Sequence, residues 1–305
     1  MSHSPLLSLI APLLAMLFAP LLLGVINRTK ALFAGRKGQP LLQAYHDIIK
    51  LLRKGAVYST TTSWLFKAGP VVSLAALLTA ACIVPFGSLG APLSFNGDLL
   101  LFIYLLGVGR FFTVIAALDT GSPFEGMGAS REVFFSALAE PVFLICLLSL
   151  ARSAHEFSFI DIIGAQPLFP VACAILAGTS LFIVMLAENA RIPFDDPNTH
   201  LELTMIHEVM VLDHSGPDFA FISYGAAIKL WLMAVIVVRT VLPVHATTPA
   251  IDALVTFAGV IITGVLIGTV ESVMARLRLL KVPQLLVGAG ALALIALITA
   301  QGGLR

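Results

Sequence analysis

Residues 219–241 read FAFISYGAAIKLWLMAVIVVRTV. As a helix rising ~1.5 Å per residue this segment reaches ~34 Å, enough to cross the ~30 Å hydrocarbon core of a bilayer. It has no polar face of the kind a surface helix of a soluble protein carries. The charges are Lys229, ten residues in, and Arg239 near the far end. The segment therefore reads as a transmembrane helix with a cation at mid-depth. The rest of the chain agrees. Of 305 residues, 58% are hydrophobic and 11% charged, and the mean hydropathy is +0.99. Soluble domains carry about 25% charged residues, so there is too little polar surface here for water to be the main solvent. The net charge of +1 gives no field for nucleic acid.

The reading is an all-α integral membrane protein of about eight spans in a single membrane domain, residues 1–305: Pro5–Ile26, Ala68–Leu89, Gly97–Leu118, Glu132–Arg152, Leu168–Glu188, Phe219–Val241, Asp252–Val273 and Gln284–Ala300. The first stretch is too long for a signal-peptide core, lacks a basic region before it, and is followed by Arg28 and Lys30. It reads as a retained helix leaving into the cytoplasm. Thirteen of the 18 Lys and Arg residues fall on one side, in the loops 27–67, 119–131, 189–218 and 274–283 or their flanks. By the excess of basic residues on cytoplasmic loops, that side is cytoplasmic and both termini lie opposite. Within the first loop, LLQAYHDIIKLLRK (41–54) places apolar residues mostly on one helical face, with Pro40 before it. This predicts an amphipathic interfacial helix. It is either a surface anchor, a wall of a lateral entrance from the bilayer, or a ledge for a soluble partner.

Ionisable residues inside spans cost roughly 2.5–3.5 kcal/mol each and persist where they pair or line a hydrated path. Arg110, Glu140 and Lys229 lie ~12, ~13 and ~15 Å from the basic side at helical rise, so three helices bring charge to a similar depth. Glu132, Glu188, Glu271 and Arg191 stand nearer that side. The set reads as a proton relay running inward, against the alternative of static pairs that lock helix packing. Glu271 has Arg276 and Arg278 one or two turns on as simple partners. Gly264 and Gly268 form a small-residue packing face, and Gly107 and Gly109 permit close approach beside Arg110.

The connection 188–218, ENARIPFDDPNTHLELTMIHEVMVLDHSGPD, is far longer than two spans require. Pro193 and Pro197 stop the preceding helix. Asn198 or Thr199 with Glu202 can cap a following one. His200, His207 and His214 recur every seven residues, a spacing of ~10 Å along a helix that suits a shared metal poorly. Solvated or partner-facing histidines are the expectation, with His207 beside Glu208 able to take up protons. Asp195, Asp196, Glu202, Glu208, Asp213 and Asp218 make the loop acidic, facing the basic first loop. Cys82, Cys146 and Cys173 read as small buried hydrophobes, and the chain shows no nucleotide, flavin or haem motif.

Four strings carry a resemblance: GRKGQPLLQAYHDIIKLL (35–52), DTGSPFEGMGASREVFFSALAEP (119–141), AENARIPFDDPNTHLELTMIHE (187–208) and ESVMARLR (271–278). They resemble the eight-helix membrane subunit shared by respiratory complex I and the membrane-bound group 4 nickel–iron hydrogenases, including formate hydrogenlyase. The resemblance implies an anchor for a peripheral redox arm, with no cofactor of its own. The implied partners are a hydrogenase large-subunit-like protein, an iron–sulfur small-subunit-like protein, and antiporter-like membrane subunits. Those soluble partners would hold iron–sulfur clusters and, in a hydrogenase, a nickel–iron centre. By motif match it points to Arg131, Glu132 and Glu140, and to Glu188, Arg191, Asp195, Glu202 and Glu208. The complex I loop has closely spaced glutamates followed by EYSG, where this chain has DDPNTHLELTMIHEVMVLDHSG. The first loop reads GRKGQP where the family often has RRGP. These departures favour a hydrogenase-type complex over a quinone reductase, which stays as the alternative. A stand-alone secondary ion transporter is the rival from another class, but such proteins show inverted repeats and broken helices that this sequence lacks.

Overall fold

The computed structural model describes residues 8–164, 170–195, 205–242 and 248–300. Among them, eight helices are long and apolar enough to cross a membrane. In chain order the helices are α1 Ile10–Phe33, α2 Gln43–Leu52, α3 Trp64–Ala81, α4 Asp98–Asp119, α5 Pro123–Ala154, α6 Val171–Glu188, α7 Gly216–Val241, α8 Pro249–Val273 and α9 Val282–Thr299. A π-helical turn spans Ile160–Gly164, and 3-10 turns span Glu208–Val211 and Leu279–Lys281. All but α2 count as spans.

The helix α7 is the axis of the bundle. It packs against α1, α2, α3, α6 and α8, and every residue from Leu230 to Thr240 is buried. Outside that axis α3 lies along α4, α4 along α5, and α9 covers α5 and α6. Trp231 stacks between Phe18 of α1 and Phe86 of the connection after α3. Lipid-driven burial contributes little between such helices, so close packing decides their contacts. Gly264 and Gly268 accordingly face α1, where a Cβ at Gly268 would lie 2.9 Å from the Ile26 carbonyl and 2.7 Å from Thr29.

Several boundaries differ from expectation. The loop 119–131 shortens to a few residues because α5 begins at Pro123, not Glu132. Ser122 takes an extended cap conformation, proline occupies the first turn, where its missing N–H costs nothing, and Gly128 packs against Ile206, Val209 and Met210. The first span runs on to Phe33, and α3 starts at Trp64, where the Ser63 hydroxyl accepts the Leu65 N–H. The interfacial helix α2 has two apolar edges. Ala44, Tyr45, Ile48 and Leu51 are partly covered, while Leu41, Leu42, Ile49 and Leu52 are exposed. The Tyr45 hydroxyl donates to the Leu17 carbonyl, tying α2 to α1.

Candidate functional site

The guanidinium of Arg110, on α4, is the hub of the site. It donates to Glu140 on α5 and to Glu188 at the end of α6, and its Nε lies 3.5 Å from Glu132, also on α5. Lys229 of α7 approaches the Glu188 carboxylate at 3.9 Å and donates to the Glu188 backbone carbonyl. Glu188 is the last residue of α6, where the helix dipole disfavours a carboxylate and carbonyls lack partners. Lys229 and Arg110 together offset both costs. Three carboxylates face two cations, so one added proton makes the fully ionised cluster neutral. A cavity of ≈50 Å³, lined by Arg110, Glu132, His207, Lys229, Ser73 and Thr113 among others, has room for a few waters beside these groups.

The expected convergence of Arg110 with Glu140 is found, and Lys229 joins through Glu188. Glu132 and Glu188, placed by sequence nearer the basic side, belong to the same cluster. Glu140 is its outer member. Its side chain is 44% exposed, against 5% for Glu188, and it borders Gly107, where a Cβ would stand 3.9 Å from its carboxylate.

Glu271 belongs elsewhere. Its fully buried carboxylate lies 2.8 Å from Lys30 and 3.4 Å from Arg191, not against Arg276 or Arg278. Arg276 instead pairs with Asp195 at 2.8 Å. The second oxygen of Asp195 accepts the backbone N–H groups of Ile206 and His207 at 2.9 and 3.2 Å. Arg131 donates to the Met205 carbonyl at 3.0 Å. Asp195 and Arg131 thereby hold the chain at 205–207 over the cluster. Asp196 and Glu202, with His200 and the expected capping box, lie outside the described residues.

A second cavity, ≈190 Å³, adjoins the first across His207, Ile222 and Ala226 and is lined by Asp195, Arg191 and Glu208. A third, ≈280 Å³, shares Leu23, Arg191, Phe219 and Ser223 with the second and is walled by Gln43, Asp47, Ile48 and Leu51 of α2. The three form a sequence from beneath α2 to the Arg110 cluster.

Of the two described loop histidines, His214 is buried and His207 half-buried. A 3-10 turn at Glu208–Val211 interrupts any single helix through 207 and 214. His207 borders two cavities. Burial, reinforced by the charge of Lys229, pushes its imidazole down to about 4. His214 is 7% exposed and stacks on Phe66 with ring centroids 3.9 Å apart. Burial lowers it to about 4 as well. The folded imidazole stays neutral to about pH 4, whereas an unfolded one gains a proton near 6.5. The stability contributed is full above pH 6.5 and is lost as pH falls towards 4. For His214 this is on the order of 3 kcal/mol. His214→Phe keeps the stack and removes the proton site. Thermal unfolding followed from pH 7 to 4.5 should show a shallower acid loss in that variant. An unchanged slope would assign the acid sensitivity to other groups.

Sequence reading missed a second buried network at the opposite end. Arg239 of α7 lies 3.1 Å from Asp252 of α8 and donates from Nε to the Ile163 carbonyl at 2.9 Å. Asp98, fully buried, accepts the Ser158 hydroxyl and the Phe159 N–H, both at 2.8 Å. The available signal was an Arg and an Asp thirteen residues apart, flanking one short connection between two spans. Among the described residues no group of three or more His, Cys, Asp or Glu side chains is placed to hold a metal.

The profile of the family described as NADH dehydrogenase matches residues 6–301. Formate hydrogenlyase subunit 4 of Escherichia coli (strain K12) is 33% identical over 291 residues, which cover 92% of this chain and 94% of that protein. Hydrogenase-4 component C of the same organism is 31% identical over 280 residues, 88% of this chain and 86% of that one. A chain in the structure of the membrane-bound sulfane sulfur reductase, an archaeal respiratory membrane complex, superimposes with a TM-score of 0.84 over 97% of this chain and 98% of its own length. It is 20% identical, a likeness of fold.

Proposed function

The chain belongs to the NADH dehydrogenase family, and from that premise we propose that it is the membrane anchor and proton-path subunit of a group 4 nickel–iron hydrogenase or formate hydrogenlyase-like complex. It is a multi-pass membrane protein. In this reading it sits in a bacterial or archaeal plasma membrane with its basic end cytoplasmic. There Arg131, Arg191, Asp195, Asp196, Glu202, His207 and Glu208 meet a peripheral arm of hydrogenase large-subunit-like and iron–sulfur small-subunit-like proteins. Redox centres belong to those partners, and this chain supplies protonatable groups. The identities of 33% and 31% to two hydrogenase-complex subunits support the choice of complex.

One observation carries the proton path: Arg110 joins carboxylates from two other helices into a single cluster whose outermost member, Glu140, is half-exposed on the side of the bundle. An ionised carboxylate at that depth is costly against hydrocarbon. A neighbouring membrane subunit, antiporter-like in this reading, covers it and takes the proton onward. Charge change at the peripheral interface is felt by His207 and Glu188 and passed through Arg110 to Glu132 and Glu140. Glu271, with Lys30 and Arg191, borders the same approach.

Glu140→Gln keeps the size and one acceptor but holds no transferable proton. Proton translocation by membrane vesicles containing the complex should fall about 10- to 100-fold, with assembly and hydrogen chemistry retained. Translocation at the parental rate would remove Glu140 from the path.

The cavity sequence beneath α2 favours a second reading, the quinone-site subunit of a complex I NADH:quinone oxidoreductase. The ≈280 and ≈190 Å³ cavities adjoin, and small-ligand pockets begin at about 300 Å³. A quinone-headgroup photolabel that attaches to Asp47 or Glu208 neighbours would favour it. Labelling confined to the lipid-facing surface would set it aside.

A further inference from the structure

The basic end holds another cavity that the carboxylate cluster does not use. It measures ≈490 Å³ and lies where the last turn of α1, the turn 34–39 and the end of α8 meet. Lys30, Arg36, Gln39, Ser272 and Phe33 line it. Gly35 and Gly38 take left-handed φ angles of 65° and 68°, which fold the turn back so that Arg36 and Gln39 share a cavity with Lys30. The Arg28 guanidinium braces this turn by donating to the Lys37 carbonyl.

Charge and polarity at this place are unbalanced in a specific way. Lys30 and Arg191 share one carboxylate, Glu271, and Arg36 is exposed. The cavity itself is lined by two cations, Lys30 and Arg36, and by no carboxylate. Next to them, apolar side chains stand in the open: Leu32 and Phe33 on α1, and Val273 and Met274 at the end of α8. These are the ends of two helices long enough to cross a bilayer, so the cavity lies at the level of lipid headgroups. Basic pockets between transmembrane helices recognise anionic headgroups, and guanidinium–phosphate contacts are charge-assisted.

We propose that this cavity binds the phosphodiester headgroup of an anionic membrane phospholipid between Arg36 and Lys30, with an acyl chain along Leu32 and Phe33. A zwitterionic lipid brings its own cation into a site already in positive excess, so it binds less well. The assignment does not depend on the proton-path reading.

The test uses the full chain, extracted with its accompanying subunits and stripped of lipid. Retention of phosphatidylglycerol and of phosphatidylcholine with the same acyl chains is counted by native mass spectrometry. Phosphatidylglycerol should be retained in preference. Arg36→Gln should weaken that retention about tenfold, and Arg36→Lys should restore most of it. Lys50→Gln, an exposed cation of α2 outside the cavity, should leave it unchanged. Equal retention of the two lipids, or an equal loss from Lys50→Gln, would overturn the proposal. Displacement of the lipid by millimolar inorganic phosphate would make free phosphate the ligand and overturn the lipid assignment.

Discussion

Arg110→Met should destabilise the chain by about 3–5 kcal/mol, the cost of leaving buried charges without their partner, and should abolish coupled proton translocation. Three carboxylates, Glu132, Glu140 and Glu188, converge on this one guanidinium. Without it Lys229, 3.9 Å from the Glu188 carboxylate, is the cation left beside them. Arg110→Lys should recover only part of the stability, because an ammonium cannot reproduce the planar fork that donates to Glu140 and Glu188 at once. Pairing Arg110→Met with Glu188→Gln should return roughly 0.5–3 kcal/mol, the range for directly coupled residues. Thermal unfolding of the solubilised complex reads the stability, and vesicle acidification reads the coupling. A loss below about 1 kcal/mol would show that the cluster is held by the surrounding helices and not by its charges.

Arg239→Leu should be comparably destabilising, again about 3–5 kcal/mol, with a different functional signature. Arg239 binds Asp252 and the Ile163 carbonyl and is almost fully buried at the opposite end of α7 from the cavities. Its loss leaves Asp252 buried without its cation, beside Gly87, where a Cβ would fall 2.8 Å from the carboxylate. Assembled complex should therefore be scarce. The fraction that assembles should translocate protons at the parental rate per molecule, since no residue of the Arg110 cluster touches this pair. Replacing both partners, Arg239→Leu with Asp252→Leu, should restore much of the yield, as apolar substitution of a whole buried pair is often tolerated. If Arg239→Leu instead assembled normally and stopped translocation, the far network would belong to the proton path.

The eight spans were legible because hydropathy is a one-dimensional property. A run of about twenty apolar residues has one stable place, whatever its neighbours. Helical rise turns residue number into distance along the axis, which matched Arg110 with Glu140 but set Glu132 and Glu188 apart from them. Arg110 and Glu140 prove to be paired. The starts of α5 and α3 were less legible. Residues 123–131 are too polar to count as membrane, yet they form helix because Gly128 and its neighbours pack against the 206–210 segment. His214 looked like a polar loop residue and is buried against Phe66 from a segment nearly 150 positions earlier in the chain.

By itself, then, the amino-acid order determined that the chain is a membrane protein of eight long apolar helices, where its basic residues concentrate, and that Arg110 and Glu140 match along their helices. Tertiary structure alone decided which charges meet: Glu188 and Glu132 with Arg110, Glu271 with Lys30 and Arg191, Asp195 with Arg276, Arg239 with Asp252. The physical reason is rotation. A helix apolar on every side carries no stripe to say which way it faces, so the direction of a side chain around the axis is set only when glycines, aromatic rings and ion pairs from other helices lock against it.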